Sequence, residues 1–336
     1  MACETDGKQE GIMAEEKKTS NRSLLGSGIL LLTAFIWGMA FTAQSAGMEH
    51  IGPFTMNCTR SILGGVALLP LIAWNQARAK RKMLVGAGAT GALADRETAE
   101  MNCAAGIDRR ATVIGGVCCG MILAVASSLQ QIGIVYTTVG KAGFITTLYI
   151  VMVPLVGVVW KKTIKVRVWV SVALAAVGMY LLCMNESFTV NPGDVNVFFC
   201  AVAFTGHILV IDHFSPKADG VAMSCIQFFT CAVLCGIAMF IAEEPTWENI
   251  RAAAGPILYA GIMSSGVGYT LQIIGQKYTE PTVASLIMSM ESVFAVLGGW
   301  LLLNQKMSGR ELLGCAVVFV GILLVQLPER KRKVMK

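Results

Sequence analysis

Leu129-Gln130-Gln131-Ile132-Gly133-Ile134-Val135-Tyr136-Thr137 returns 142 residues later as Leu271-Gln272-Ile273-Ile274-Gly275-Gln276-Lys277-Tyr278-Thr279, with six of nine positions identical. The same offset aligns Ala142 with Ala284, Gly157 with Gly299 and Tyr149 with Glu291. Earlier segments align at a larger offset, 167, which pairs Met56 with Met223, Cys58 with Cys225 and Arg60 with Gln227. The long basic stretch at 77–110 absorbs the difference, since its counterpart near 243–252 is short. The chain therefore reads as an internal duplication, and the number of helices in each copy decides what that duplication builds.

The 336 residues are 55% apolar and only 14% charged, with a mean hydropathy of +0.64. Soluble domains carry about 25% charged residues, so most of this surface is predicted to face lipid. Apolar blocks run at 25–46, 54–76, 111–136, 140–160, 168–184, 195–213, 221–242, 253–276, 281–303 and 310–327. A helix of roughly 20 apolar residues crosses a hydrocarbon core about 30 Å thick, and helices are the spanning form that satisfies the backbone without strand alternation. The expectation is an all-α membrane protein with ten transmembrane helices. A cytoplasmic tail (1–24) precedes a first five-helix repeat (25–184, with cytoplasmic loop 77–110). A second five-helix repeat (195–327) and a basic tail (328–336) follow. The first 24 residues are polar, so no cleavable signal peptide is expected.

Lys and Arg test the count. With ten crossings, 22 of the 27 basic residues fall on the side of the termini, and four (Lys141, Arg251, Lys306 and Arg310) fall opposite. Arg60 alone lies within a block. The positive-inside rule then places both termini in the cytoplasm. Five helices per copy is an odd number, so the second copy enters the membrane from the opposite side. Such inverted repeats suit alternating access around a midplane site.

The order of several short motifs resembles the drug/metabolite transporter superfamily of the EamA-domain type, as two EamA-like halves over nearly all of 25–327. Phe35-Ile36-Trp37-Gly38-Met39 resembles its Trp-Gly signature, and Gly52-Pro53 followed by Arg60 its Gly-Pro and downstream Arg. Val153-Pro154-Leu155 resembles its mid-helix proline, and Gly206-His207-Ile208 its polar position in the sixth helix. Met290-Glu291-Ser292-Val293-Phe294-Ala295 resembles a Glu-Pro segment with Ser292 in place of proline. Asn304-Gln305-Lys306 and Lys161-Lys162 depart from the Gly-Glu-Arg often found there. The resemblance implies a carrier of a small polar metabolite, an amino acid or similar, in the plasma membrane. It leaves the substrate open.

Glu291 is the leading candidate for substrate binding or proton coupling. It lies about 15 Å into its block, where a carboxylate must face the protein interior or a cavity, and Ala284, Ala295 and Gly298 around it are small. The bland alternative is a neutral structural acid. Arg60, about 10 Å from the opposite end of its block, is suited to a carboxylate or phosphate, or to pairing with Glu291. Tyr149 shares the depth of Glu291 by repeat symmetry. Gln130 and Gln272 occupy equivalent repeat positions and either bridge helices or line the pathway. Gln227, the counterpart of Arg60, joins them, with Trp37, Tyr269 and His207 as cavity walls. Pro154 is expected to kink its helix as a gating bend or simply to shape the bundle.

Partners implied are a small-molecule substrate, the lipid bilayer and either protons or a counter-substrate, with no nucleic acid and no cofactor. The eleven cysteines lack framework spacing, so neither a disulfide nor a metal site is expected. Gly86-Ala87-Gly88-Ala89-Thr90-Gly91 fits G-x-G-x-x-G without room for a βαβ unit. Asn185-Glu186-Ser187 is a sequon, and Glu329-Arg330-Lys331-Arg332-Lys333 reads as a topology signal. The competing class is an intramembrane enzyme or sensor, for which His207 and Asp212 are the sole reactive pair.

Overall fold

A computed structural model of the chain describes residues 2–87, 107–136, 139–160, 163–183, 192–303 and 308–326. The sequon, the basic tail, the Asn304-Gln305-Lys306 and Lys161-Lys162 segments and most of the 77–110 loop lie outside them. Among the described residues the chain is helical without a strand. In chain order the helices are α1 (Ala2–Gly47), α2 (Pro53–Ala87), α3 (Arg109–Tyr136), α4 (Val139–Thr146), α5 (Tyr149–Val159), α6 (Val166–Cys183), α7 (Pro192–Phe214), α8 (Gly220–Ala242), α9 (Trp247–Ala252) and α10 (Ala254–Leu258). A π-helix (Tyr259–Tyr269) leads into α11 (Thr270–Gln276), followed by α12 (Pro281–Met288), α13 (Met290–Leu303) and α14 (Gly309–Gln326).

Six helical stretches are long and apolar enough to cross a membrane: Ser23–Gly47, Pro53–Arg78, Arg109–Tyr136, Pro192–Phe214, Gly220–Ala242 and Ala254–Gln276. Four shorter apolar helices, Tyr149–Val159, Val166–Gly178, Pro281–Leu297 and Leu312–Leu324, accompany them. The outward faces carry large apolar side chains such as Phe35, Val125, Phe199, Ile237 and Phe319. That inversion of the soluble pattern is what a lipid solvent permits.

The bundle is assembled from helix pairs: α14 on α6, α7 and α8 on α3, α2 on α8, and α1 on α13. Without a hydrophobic force between helices in lipid, close packing and polar ties decide the contacts. Gly116 and Gly120 of α3 meet Ile226 and Thr230 of α8, so that small-residue face is used within the chain. At one end, Glu243 just after α8 accepts the N–H groups of Phe54 and Thr55 at 2.8 Å each and the Thr55 hydroxyl at 2.6 Å. It thus caps a neighbouring helix, whose first residue, Pro53, has no N–H to satisfy. A side chain at Gly52 would collide with that carboxylate, which accounts for the Gly-Pro pair. At the other end, Asp219 caps α8 itself through Val221 and Ala222, and its own N–H donates to Thr112 of α3 at 3.0 Å.

Two apolar blocks differ from continuous helices. The 140–160 block is interrupted at Thr147–Leu148 and the 281–303 block at Ser289. Pro154 lies inside α5 rather than at the interruption. The interruption lies about two turns upstream of the proline, where the Thr147 hydroxyl bonds the Gly143 carbonyl at 2.9 Å.

Candidate functional site

The site is built from residues that would be costly in lipid and are withdrawn from it. Arg60 and Glu291 are each 5% exposed. Both line one interior cavity together with Trp37, Tyr149, Gln130 and Tyr269. Phe41, Gln44, Thr146, Phe204 and Ser264 complete the wall. Six residues proposed from sequence, Trp37, Arg60, Gln130, Tyr149, Tyr269 and Glu291, are thus brought together from α1, α2, α3, α5, the π-helix and α13.

Arg60 donates from Nη1 to Gln44 Oε1 at 2.9 Å. Gln44 sits one turn before the end of α1 and is anchored by its own amide to the Ala40 carbonyl at 3.3 Å. No ion pair joins Arg60 to Glu291 among the described residues; Glu291 instead accepts from the Tyr149 hydroxyl at 3.1 Å through Oε1. The guanidinium has five N–H donors, so the bond to Gln44 orients it and leaves donors for a ligand. Among the described residues Glu291 is hydrogen-bonded through Oε1, which leaves Oε2 for a ligand. The cavity therefore holds a cation and a carboxyl group that do not neutralise each other.

Aromatic rings set the remaining wall. Trp37 and Tyr269 lie 4.7 Å apart between centroids at 53°, and the Trp37 indole N–H donates to the Ser264 carbonyl at 3.2 Å. Ser264 lies within the π-helix, whose i→i+5 register departs from the ordinary ladder, as such segments do at functional sites. Gly38 next to Trp37 lets α1 approach α13 closely: a Cβ there would lie 2.5 Å from Phe294 Cβ and 2.7 Å from the Glu291 carbonyl. The Trp-Gly pair therefore positions the indole and the Glu291 backbone in one contact.

Other proposed residues lie elsewhere. His207, fully buried, shares a 3.1 Å hydrogen bond with Gln227 Oε1 and stands edge-on to Tyr269 at 5.9 Å and to Phe204 at 6.3 Å. It supports the cavity wall from behind without lining it. His207 Nδ1 and Gln227 Nε2 have no partner among the described residues. Gln272 is 2% exposed, with Oε1 unpartnered among the described residues, and is not in the cavity lining, while Gln130 bridges α3 to α4 through Thr146 at 3.4 Å. Asp212 lines a different cavity, and five residues along a helix turn it well away from the face of His207. The pair does not form a reactive constellation. Gln44 was detectable as an intramembrane amide; Phe41, Phe204, Thr146 and Ser264 carried no signal that separates them from ordinary helix residues.

The sequence profile of the EamA-like transporter family matches residues 24–184 and again 191–327. This chain belongs to the EamA-like transporter family. The EamA-like chain is similar to an uncharacterized transporter of Archaeoglobus fulgidus, with 26% identity over 89% of this chain and 84% of that protein. It is also similar to the uncharacterized transporter YwfM of Bacillus subtilis, at 24% identity over 90% of this chain and 94% of that one. A crystal structure matches with a TM-score of 0.68 at 14% identity, covering 89% of this chain and 96% of that chain, which speaks to the fold. The EamA-like protein is accordingly a multi-pass membrane transporter of the drug/metabolite type, with a small-molecule substrate and lipid around it. The cavity wall takes residues from both matched segments.

Proposed function

We propose that this transporter is a secondary carrier that moves a small polar metabolite, an amino acid or a molecule like it, across the plasma membrane by alternating access. Its ten apolar helical segments all cross, as two inverted five-helix repeats with both termini cytoplasmic. The short segments reach the required span when joined: α4 and α5 together run from 139 to 159, about 31 Å at helical rise. The opposed placement of basic residues supports the orientation.

The observation that carries the reading is the unpaired Arg60 and Glu291 in one buried cavity between the halves. Leaving two such groups uncompensated in a low-dielectric interior is costly, and a ligand with a carboxylate or phosphate for Arg60 and an ammonium for Glu291 would compensate both. The cavity is about 40 Å³, room for a few waters and well below the roughly 300–1,000 Å³ of ligand pockets. The site therefore has to widen to load, as alternating access requires. Glu291 is also the group in the cavity able to exchange a proton, should coupling be to protons rather than to a counter-substrate.

The test is a thermal-stability screen of detergent-purified protein against amino acids, nucleobases, polyamines and sugar phosphates, followed by vesicle uptake of any hit. A ligand at 100 times its Kd stabilises the native state by about 2.7 kcal/mol. Arg60→Gln and Glu291→Gln are each expected to abolish that shift and the uptake while remaining folded. Unchanged uptake in both variants would remove the cavity from the mechanism.

A further inference from the structure

The two interrupted helices break at corresponding places. Thr147 and Ser289 are separated by 142 residues, the repeat offset. Leu148 has φ −56° and ψ −14°, and Ser289 φ −61° and ψ −15°. Each break is followed by i→i−3 bonds, Ile150 to Thr147 at 3.0 Å and Ser292 to Ser289 at 3.2 Å. At each a hydroxyl turns back on the chain: Thr147 on Gly143, and Ser289 on the Leu286 carbonyl at 2.7 Å. The residues two positions beyond Thr147 and Ser289 are Tyr149 and Glu291, which are hydrogen-bonded to each other. The breaks therefore meet across the two halves through that bond, with Ser292 reaching the Gly143 carbonyl at 3.4 Å beside it.

A second cavity, about 610 Å³, lies on the side of the bundle bearing Lys165, Lys217 and Lys277. Val153 and Gly157 of α5, with Trp160 just past its end, line it opposite Pro281 and Val283 at the start of α12. Tyr149, Val153 and Gly157 form one face of α5 at helical spacing, continued by Trp160 at its end. The vestibule and the central cavity thus share a single stripe, and one turn, about 6 Å, separates Val153 at the vestibule floor from Tyr149 at the central site. Ile150, Val153 and Ile287, each at most 2% exposed, pack in one core cluster at this level.

We propose that the Tyr149 hydroxyl–Glu291 bond is the latch of the inner gate: it holds the two broken helices together over the apolar layer at Val153, and its release lets the half-helices turn about Thr147 and Ser289 and joins the vestibule to the central site. This rests on the transport reading, and assigns to Tyr149 a gating part distinct from ligand binding. A substrate ammonium bound at Glu291 Oε2 draws charge from the carboxylate that accepts the Tyr149 hydroxyl and so weakens that bond. Occupancy of the site and opening of the gate are thereby linked through one acceptor.

The experiment needs no substrate. Ser264→Cys places a thiol on the central cavity in a chain reconstituted in vesicles, and a membrane-impermeant methanethiosulfonate reagent is added on the side of the vestibule, with labelling of the Ser264 peptide followed by mass spectrometry. With the latch intact the thiol is protected. Tyr149→Phe is expected to raise its labelling rate at least tenfold. Glu291→Gln is not, because the amide oxygen still accepts from Tyr149. If Tyr149→Phe does not fold, Glu291→Ala removes the same bond from the other side and is read in the same way. An unchanged rate without the bond overturns the latch, as does equal opening by Glu291→Gln. Opening by Val153→Ala in place of Tyr149→Phe would put the seal in the apolar layer and likewise overturn it. The absence of any ligand in the stability screen, by contrast, would count against the substrate reading and leave this result standing.

Discussion

Gly38→Ala is the smallest change that tests whether the α1–α13 contact holds the site. The added Cβ would lie 2.5 Å from Phe294 Cβ, 2.7 Å from the Glu291 carbonyl and 2.9 Å from the Ala295 N. Carbon contacts are comfortable at about 3.5–4.0 Å, so the helices must part by about 1 Å. Two of the three neighbours are backbone atoms and the third is a Cβ, so no rotamer change relieves the overlap. Overpacking of this kind costs about 1–3 kcal/mol. The same displacement moves the Glu291 backbone and the adjacent indole of Trp37, so ligand affinity should fall at least tenfold. Gly28→Ala is the internal control, since nothing lies within 4 Å of its Cβ on the same helix. There the helix propensity of alanine should leave stability unchanged or raise it by about 0.5–1 kcal/mol. Thermal unfolding in detergent, with ligand binding or vesicle uptake in parallel, reads both variants. A Gly38→Ala protein as stable and as active as Gly28→Ala would refute the claim that the close approach positions Glu291.

Glu243→Ala strips three hydrogen bonds from the start of α2, and loss of such a cap should lower stability by about 0.5–2 kcal/mol, seen as a lower unfolding midpoint. Transport measured below that midpoint should persist, because the cap lies at the end of the bundle. His207 and Gln227 offer a double-mutant cycle: Gln227→Leu alone leaves a buried imidazole without a partner and should cost about 1–3 kcal/mol. Gln227→Leu with His207→Phe removes both polar groups and should be closer to neutral. Additive losses would show that the two do not act as a pair.

Much of the architecture was legible because hydropathy and charge are properties of position along the chain. A helix in lipid must satisfy its own backbone, so each long apolar block announces itself, and Glu291 and Arg60 stand out against it by their cost. The Leu129–Thr137 and Leu271–Thr279 repeat pointed in advance to the correspondence of Tyr149 with Glu291. What linear reading could not supply was facing. His207, Gln227 and Gln272 are as polar as Gln130, yet they pack outside the cavity, because helix rotation is set by the fit of neighbouring side chains. Pro154 was the visible breaker, whereas the interruption lies upstream of it, at Thr147–Leu148.

The sequence by itself thus determined the lipid-facing helical class, the duplication within the chain and the two charges inside apolar blocks, since each is written in one residue's chemistry or its spacing along the chain. Only the tertiary structure decided that Arg60 meets Gln44 rather than Glu291, and that Tyr149 meets Glu291. It alone placed aromatic rings from α1, α7 and the π-helix around them, because those contacts join residues as distant in the chain as Trp37 and Tyr269, through packing that no local pattern encodes.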